Sequence, residues 1–177
     1  CLIPVILVSL FFAVTGYGLR VAWDSSNITN FGSYLFLKLF DKISGNLFGI
    51  LLYAVMTHLL WFMGIHGTNT LEAVSRHLFE QNVEINQSLV LAGHIPTEIF
   101  SKTFLDTFVF IGGCGTALSF VLALYIASKQ SHNRKMSFVA LPSALFNISE
   151  IAVFGFPIIF NLTMLIPFIL TPVILTL

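Results

Sequence analysis

The residue that most demands a chemical explanation is Glu150, the single formal charge between Met136 and Leu177 in an otherwise apolar or uncharged stretch. A carboxylate in hydrocarbon is unfavourable by at least ~2.5 kcal/mol on insertion scales, so an acid in such a stretch faces protein, water or a ligand. Asn147 and Ser149 stand just before it, and Pro142, Gly155 and Pro157 flank the cluster as interruptions of helical hydrogen bonding. Non-helical backbone at membrane depth survives only where protein or a cavity surrounds it. An Asn-x-Ser-Glu cluster at such a break therefore suits the floor of a polar-ligand site. The plainer reading is an acid that caps a half-helix or pairs with a base.

A second group with chemical potential is His66, bracketed by Gly64 and Gly67 at the end of an apolar run. A lone histidine at a helix end is commonly an interfacial hydrogen bonder. The glycine bracket favours more, because it would expose backbone and imidazole together. Trp61, five residues earlier, is either a belt aromatic or a stacking face for a ring that carries polar groups at its rim, as a sugar does. His58 lies deeper in the same run and reads as a helix-packing hydrogen bonder rather than a ligand. Cys114, in a Gly-rich apolar run with no base beside it, lacks the electropositive setting of an activated thiolate. The chain has no H-E-x-x-H, G-x-S-x-G or G-x-x-x-x-G-K motif, so metalloprotease, serine hydrolase and P-loop chemistry have no anchor. The two cysteines, Cys1 and Cys114, supply neither a disulfide framework nor metal-ligand spacing, and no cofactor is implied.

The elements that position these residues are those of a membrane protein. The 177 residues are 56% hydrophobic and 9% charged, against roughly 25% charged in soluble chains. With zero net charge and no basic face, nucleic acid is excluded as a partner. The start at Cys1-Leu-Ile-Pro and the end at Ile-Leu-Thr-Leu177 read as cuts, which makes this an internal piece of a longer protein. Residues 1–14 read as the tail of a spanning helix, residues 24–30 as a polar turn, and 31–43 as a helix lying in the membrane interface. Leu47 to Ile65 holds no Asp, Glu, Lys or Arg and is the clearest span, ending at Trp61 and His66. Residues 71–102 are too polar to span and predict a re-entrant hairpin or a set of short helices, broken at Gly93 and Pro96. Phe104 to Ala127 is apolar again, and Gly112, Gly113 and Gly115 within it require close packing or unwinding. A basic connection at Lys129, Arg134 and Lys135 follows, then the Glu150 hairpin and a further apolar segment from Ile166.

Four blocks in this order, Leu60-Trp-Phe-Met-Gly-Ile-His-Gly67, Gly112-Gly-Cys-Gly-Thr-Ala-Leu118, Phe146-Asn-Ile-Ser-Glu150 and Phe154-Gly-Phe-Pro-Ile-Ile-Phe-Asn161, resemble the EIIC subunit of the bacterial phosphoenolpyruvate:sugar phosphotransferase system, in its lactose/cellobiose (diacetylchitobiose) family. The resemblance covers essentially the whole chain. It implies an all-α integral membrane protein of transmembrane helices and two re-entrant hairpins, with residues 1–43 ending an N-terminal dimerisation domain and 44–177 forming most of the C-terminal sugar-binding domain. It implies a permease in the bacterial cell membrane that passes a β-linked disaccharide inward. A separate cytoplasmic EIIB protein, itself charged through EIIA, would phosphorylate the sugar from its own cysteine, and the full-length permease would be a homodimer in the lipid bilayer. By motif match the sugar-binding set is His66, Glu150, Trp61, Gly67, Asn69, Asn147 and Ser149. Three positions depart from the family pattern. Ile151 and Leu162 stand where proline is usual, which predicts a less kinked hairpin, and Ser149 replaces a frequent asparagine.

Two other functions fit a polar site on broken helices. An ion-coupled secondary sugar transporter would work without phosphorylating partners, and an intramembrane enzyme would use the His66 and Glu150 pair for hydrolysis.

Overall fold

A computed structural model of the chain describes residues 3–23, 34–38, 40 and 46–177. The expected polar turn at 24–30 and most of the expected interfacial helix at 31–43 lie outside these residues; 34–38 and 40 are helical. Every regular element among the described residues is helical, and the chain divides into two compact units, residues 1–42 and 43–177. In the first unit, α1 (Ile3–Trp23) presents exposed apolar side chains along most of its length. Among the described residues it contains the one stretch, Ile3–Ala22, that is long and apolar enough to cross a membrane.

The second unit begins with α2 (Leu47–Phe62), started by the Asn46 side chain, whose oxygen accepts the Gly49 N–H at 2.9 Å. The helix stops three residues before the expected end at Ile65, and the cause is Gly64. At φ +79° this glycine closes the helix in a left-handed turn: Ile65 N–H reaches the Leu60 carbonyl and Gly64 N–H the Trp61 carbonyl. The chain continues through α3 (Gly67–Thr70), α4 (Glu72–Ser75), a π-helical turn at Arg76–Glu80 and α5 (Gln81–Leu91). Gly93 ends α5 with the same pair of bonds, His94 to Leu89 and Gly93 to Val90. Residues 94–100 then run back along α5. Asn86 exchanges two hydrogen bonds with Glu98 backbone (2.7 and 3.0 Å), and Asn82 donates to the Phe100 carbonyl at 2.7 Å. Both forms expected for 71–102 appear in part, as short helical segments run from Glu72 to Leu91 and residues 94–100 return along the last of them.

The apolar stretch from Phe104 is not one helix. After α6 (Lys102–Phe104) and a π turn at Leu105–Val109, the backbone unwinds over 110–116 and resumes as α7 (Ala117–Ala127). Close packing and unwinding occur together here. A Cβ on Gly115 would lie 2.2 Å from the Phe168 ring and one on Gly113 2.6 Å from Ser149 Cβ. α7 pairs with α8 (Ser131–Leu145) as a hairpin, followed by α9 (Glu150–Gly155) and α10 (Leu162–Thr176), which packs against α2. Pro142 lies inside α8 rather than ending it. The break falls four residues later, at Phe146 to Ser149, where Asn147 (φ +61°) takes the left-handed position and Ile148 N–H reaches the Ser143 carbonyl.

The two missing prolines leave these turns intact. Ile151 lies in the first turn of α9 and Leu162 is the first residue of α10. A helix does not use the N–H groups of those positions, which is why proline fits there and why its replacement costs no kink.

Trp61, Phe62, Cys114, Ala117, Val121, Ala140, Ala152, Val153, Phe156, Ile158 and Phe168 form one buried cluster that joins α2, the glycine loop and α7 to α10. Small residues at Ala117, Ala140 and Ala152 let the backbones approach. The strain at Gly115 is both steric and torsional, since its φ is +69°, whereas Gly93 at φ +80° has open space where a Cβ would sit. Gly115→Ala should thus destabilise the full-length protein by ~2 to 4 kcal/mol and Gly93→Ala by only ~1 to 2. Thermal unfolding of the two variants side by side checks this, and equal shifts would mean that Phe168 moves aside freely.

Candidate sugar site

Each residue of Gly64-Ile-His-Gly67 has a local task before it has a chemical one. Gly64 closes α2, Ile65 completes that closure, and His66 caps α3: its Nδ1 accepts the Asn69 N–H at 3.3 Å. An imidazole nitrogen that accepts a hydrogen bond carries no proton. The proton therefore resides on Nε2, and Nε2 donates to Glu150 Oε1 at 3.2 Å across 84 residues of sequence. Thr68 Oγ1, 3.2 Å from His66 Nδ1, adds a second polar neighbour. Both side chains of the pair remain accessible, His66 at 36% and Glu150 at 43%.

Glu150 is held as tightly by its surroundings. It opens α9, where a carboxylate is favoured by the positive end of the helix dipole. The preceding break is locked to the glycine loop by Asn147, whose Oδ1 accepts the Gly112 N–H at 2.7 Å and whose Nδ2 donates to the Asp106 carbonyl at 3.3 Å. Ser149 seats against Gly113. A carboxylate that is 43% exposed and takes one hydrogen bond from the imidazole keeps lone pairs free for a further donor, and such charge-assisted bonds are about twice as strong as neutral ones.

The structure sorts the seven expected site residues into two groups. His66 and Glu150 meet, and Asn69 lies exposed beside them with its backbone bound to His66. Trp61 is 1% exposed and packs behind the imidazole, ring centroids 4.3 Å apart, with Phe154 at 6.0 Å. An indole so placed steadies His66 rather than offering an open wall. Gly67 is buried, not displayed, because a Cβ there would stand 2.2 Å from the Thr57 carbonyl and 2.9 Å from Trp61. Ser149 is buried, and the amide of exposed Asn147 is committed to backbone partners. Thr68 was not anticipated from the sequence, although its place two residues after a capping histidine is the available signal.

A cavity of about 350 Å³ lined chiefly by Cys114, Gly115, Phe120, Val153, Pro167 and Phe168 touches neither His66 nor Glu150. Thr116, Ser119 and Thr171 add hydroxyls to a wall that is otherwise mostly apolar and holds no charged side chain. Among the described residues no group of three His, Cys, Asp or Glu could hold a metal ion.

Residues 1–172 match the sequence profile of the family described as "Phosphotransferase system, EIIC". The chain belongs to the EIIC family. It is 33% identical over 132 residues to the lichenan permease IIC component of Bacillus subtilis (strain 168), covering 75% of this chain and 29% of that protein. It is 30% identical over 140 residues to a PTS system lactose-specific EIICB component of Streptococcus mutans, covering 79% of this chain and 24% of that protein. Among solved structures it resembles the transporter ChbC, the IIC component from the N,N'-diacetylchitobiose-specific phosphotransferase system, with a TM-score of 0.73 and 26% identity over 99% of this chain and 40% of that one. The EIIC fold is thereby established, helical throughout the regular elements among the described residues, and the ion-coupled alternative finds no support in these relatives. The chain spans about a quarter to a third of the length of these curated relatives.

Burial gives Trp61 a testable role. Trp61→Ala should lower the stability of the full-length protein by ~3 to 5 kcal/mol, as for a large core aromatic, and Trp61→Phe by much less. A wild-type unfolding temperature for Trp61→Ala would return the indole to the role of an open sugar wall.

Proposed function

We propose that this chain is the sugar-holding part of a multi-pass EIIC permease of the bacterial cell membrane, which passes a β-linked disaccharide inward for phosphorylation by EIIB. In this proposal residues 1–43 end a dimerisation domain and 44–177 form most of the transport domain. The observation that carries it is the 3.2 Å contact between His66 Nε2 and Glu150 Oε1, which unites two motifs from opposite ends of the second unit. The names of the relatives support the substrate class, since they mention lichenan, lactose and N,N'-diacetylchitobiose. The fused EIICB relative supports EIIB as partner.

The free lone pairs of Glu150 accept the hydroxyl that will be phosphorylated, and His66, whose Nε2–H is given to Glu150 Oε1, holds the carboxylate in place. When EIIB arrives, the hydroxyl oxygen attacks phosphorus, the S–P bond of the partner's phosphocysteine breaks, and the hydroxyl proton passes to Glu150. Trp61, Gly67 and Asn69 support the imidazole, while Asn147 and Ser149 support the carboxylate.

Glu150→Gln keeps the shape and removes the charge. It should weaken disaccharide binding by ~10-fold or more, the scale of a charged hydrogen bond, and impair phosphorylation. His66→Ala should weaken binding similarly, and the double variant should lose less than the two singles combined, because both grip one group. Calorimetry on the full-length protein decides between this and full additivity, which would separate the two residues. Cys114 is free and buried in the core cluster. Cys114→Ser or Cys114→Ala should therefore keep phosphorylation-coupled uptake; loss of coupling in a folded, sugar-binding variant would place the phosphocysteine here instead of on the partner.

A further inference from the structure

His58 is fully buried one turn before the end of α2, and both of its ring nitrogens are used. Nε2 accepts the Gly115 N–H at 2.8 Å, so it carries no proton. The proton is on Nδ1, which donates to the Ala54 carbonyl at 2.6 Å, one turn back in its own helix. The ring is wedged between Phe110 and Phe168, with centroids at 5.6 and 5.1 Å, and has no freedom to turn away. A buried imidazole that bridges a helix to a loop is a rigid bracket. Its lost partner would be a backbone N–H in an apolar interior, which costs far more than one made and broken in water.

The loop it grips is the one that holds the Glu150 hairpin. Gly115 is three residues from Gly112, whose N–H goes to Asn147, and two from Gly113, against which Ser149 is seated. Asn147 and Ser149 are the residues that set where Glu150 emerges. At the same time the chain that leaves α2 through the Gly64 turn carries His66, eight residues beyond His58. One helix therefore bears on both members of the pair, on His66 through the Gly64 turn that ends it and on Glu150 through His58 and the glycine loop. The far end of α2 has a second tie, the Phe160 N–H to the Phe62 carbonyl at 3.1 Å, which fixes the chain that leaves α9.

We infer that His58 is a positioning residue for sugar binding, acting through the Gly112–Gly115 loop to hold Glu150 opposite His66. This rests on the proposed role of the His66 and Glu150 pair. Accessible charged groups play no part in it, since His58 is enclosed by Ala54, Phe110, Gly115 and Phe168.

The test is a double-mutant cycle on the full-length protein, with disaccharide affinity as readout. His58→Leu fills the space without accepting the Gly115 N–H and should weaken binding about tenfold, whereas His58→Gln, whose oxygen can reach that N–H, should recover most of the loss. In a Glu150→Gln background the His58→Leu effect should shrink to under threefold, because there is no longer a carboxylate to aim. A merely structural histidine would give the same loss in both backgrounds, and that result overturns the inference. Asn147→Ala, which cuts the same connection nearer the site, supplies the cycle if His58→Leu does not fold; full additivity with Glu150→Gln would again count against it. If Glu150→Gln alone binds like wild type, the site reading fails and this inference fails with it. If Glu150→Gln impairs binding while His58→Leu binds like wild type, only the inference fails.

Discussion

A carboxylate can stand at the end of a broken helix in an apolar surrounding only if every backbone group freed by the break finds a partner inside the protein. That requirement governs the second unit of this chain. The break before Glu150 is satisfied by Asn147, which serves at once as left-handed cap of α8 and as side-chain partner of Gly112 and Asp106. The break in the facing segment is satisfied by His58, which takes the Gly115 N–H. The two interruptions are thus mutual: the glycine loop unwinds to supply an N–H to the hairpin, and the hairpin's asparagine closes the loop. Helical structure elsewhere, in α2, α7, α8 and α10, provides the fixed frame on which this exchange is mounted.

The same economy appears at His66. A histidine used as a helix cap has one nitrogen engaged by backbone, and the other is left as a donor of fixed direction. The glycine on either side serves the turn rather than exposure: Gly64 closes α2, and Gly67 lets α3 lie against the Thr57 carbonyl and Trp61. Positioning by packed and hydrogen-bonded neighbours is what a site that must hold a hydroxyl within a fraction of an ångström requires.

Much of this was legible in the sequence because it follows from local rules. A lone acid among apolar residues, a glycine-bracketed histidine and three glycines in four positions each announce a break, and the order of the motifs announces the family. Gly93 likewise ended its helix where expected. What was not legible depends on which surfaces meet. Pro142 reads as a breaker by propensity, yet α8 runs through it to Leu145, with Ala140 and Ala144 buried on either side of it. Trp61 reads as an exposed wall until the core cluster encloses it. Asn147 reads as a ligand for sugar until its amide is spent on Gly112 and Asp106, and nothing in its own neighbourhood of sequence names those partners. The roles of Ile151 and Leu162 became plain only once each was found in the first turn of a helix.

In the proposed function the Glu150 carboxylate, held by His66, accepts a hydroxyl of the bound sugar. Infrared difference spectroscopy of the full-length protein with and without disaccharide reads this directly, because carboxylate stretching bands shift when a new hydrogen bond is accepted. A carboxylate band should shift on sugar binding, and that shift should be missing from Glu150→Gln at sugar concentrations that saturate both proteins. An unchanged carboxylate region in the wild type, or the same shift in Glu150→Gln, would contradict it.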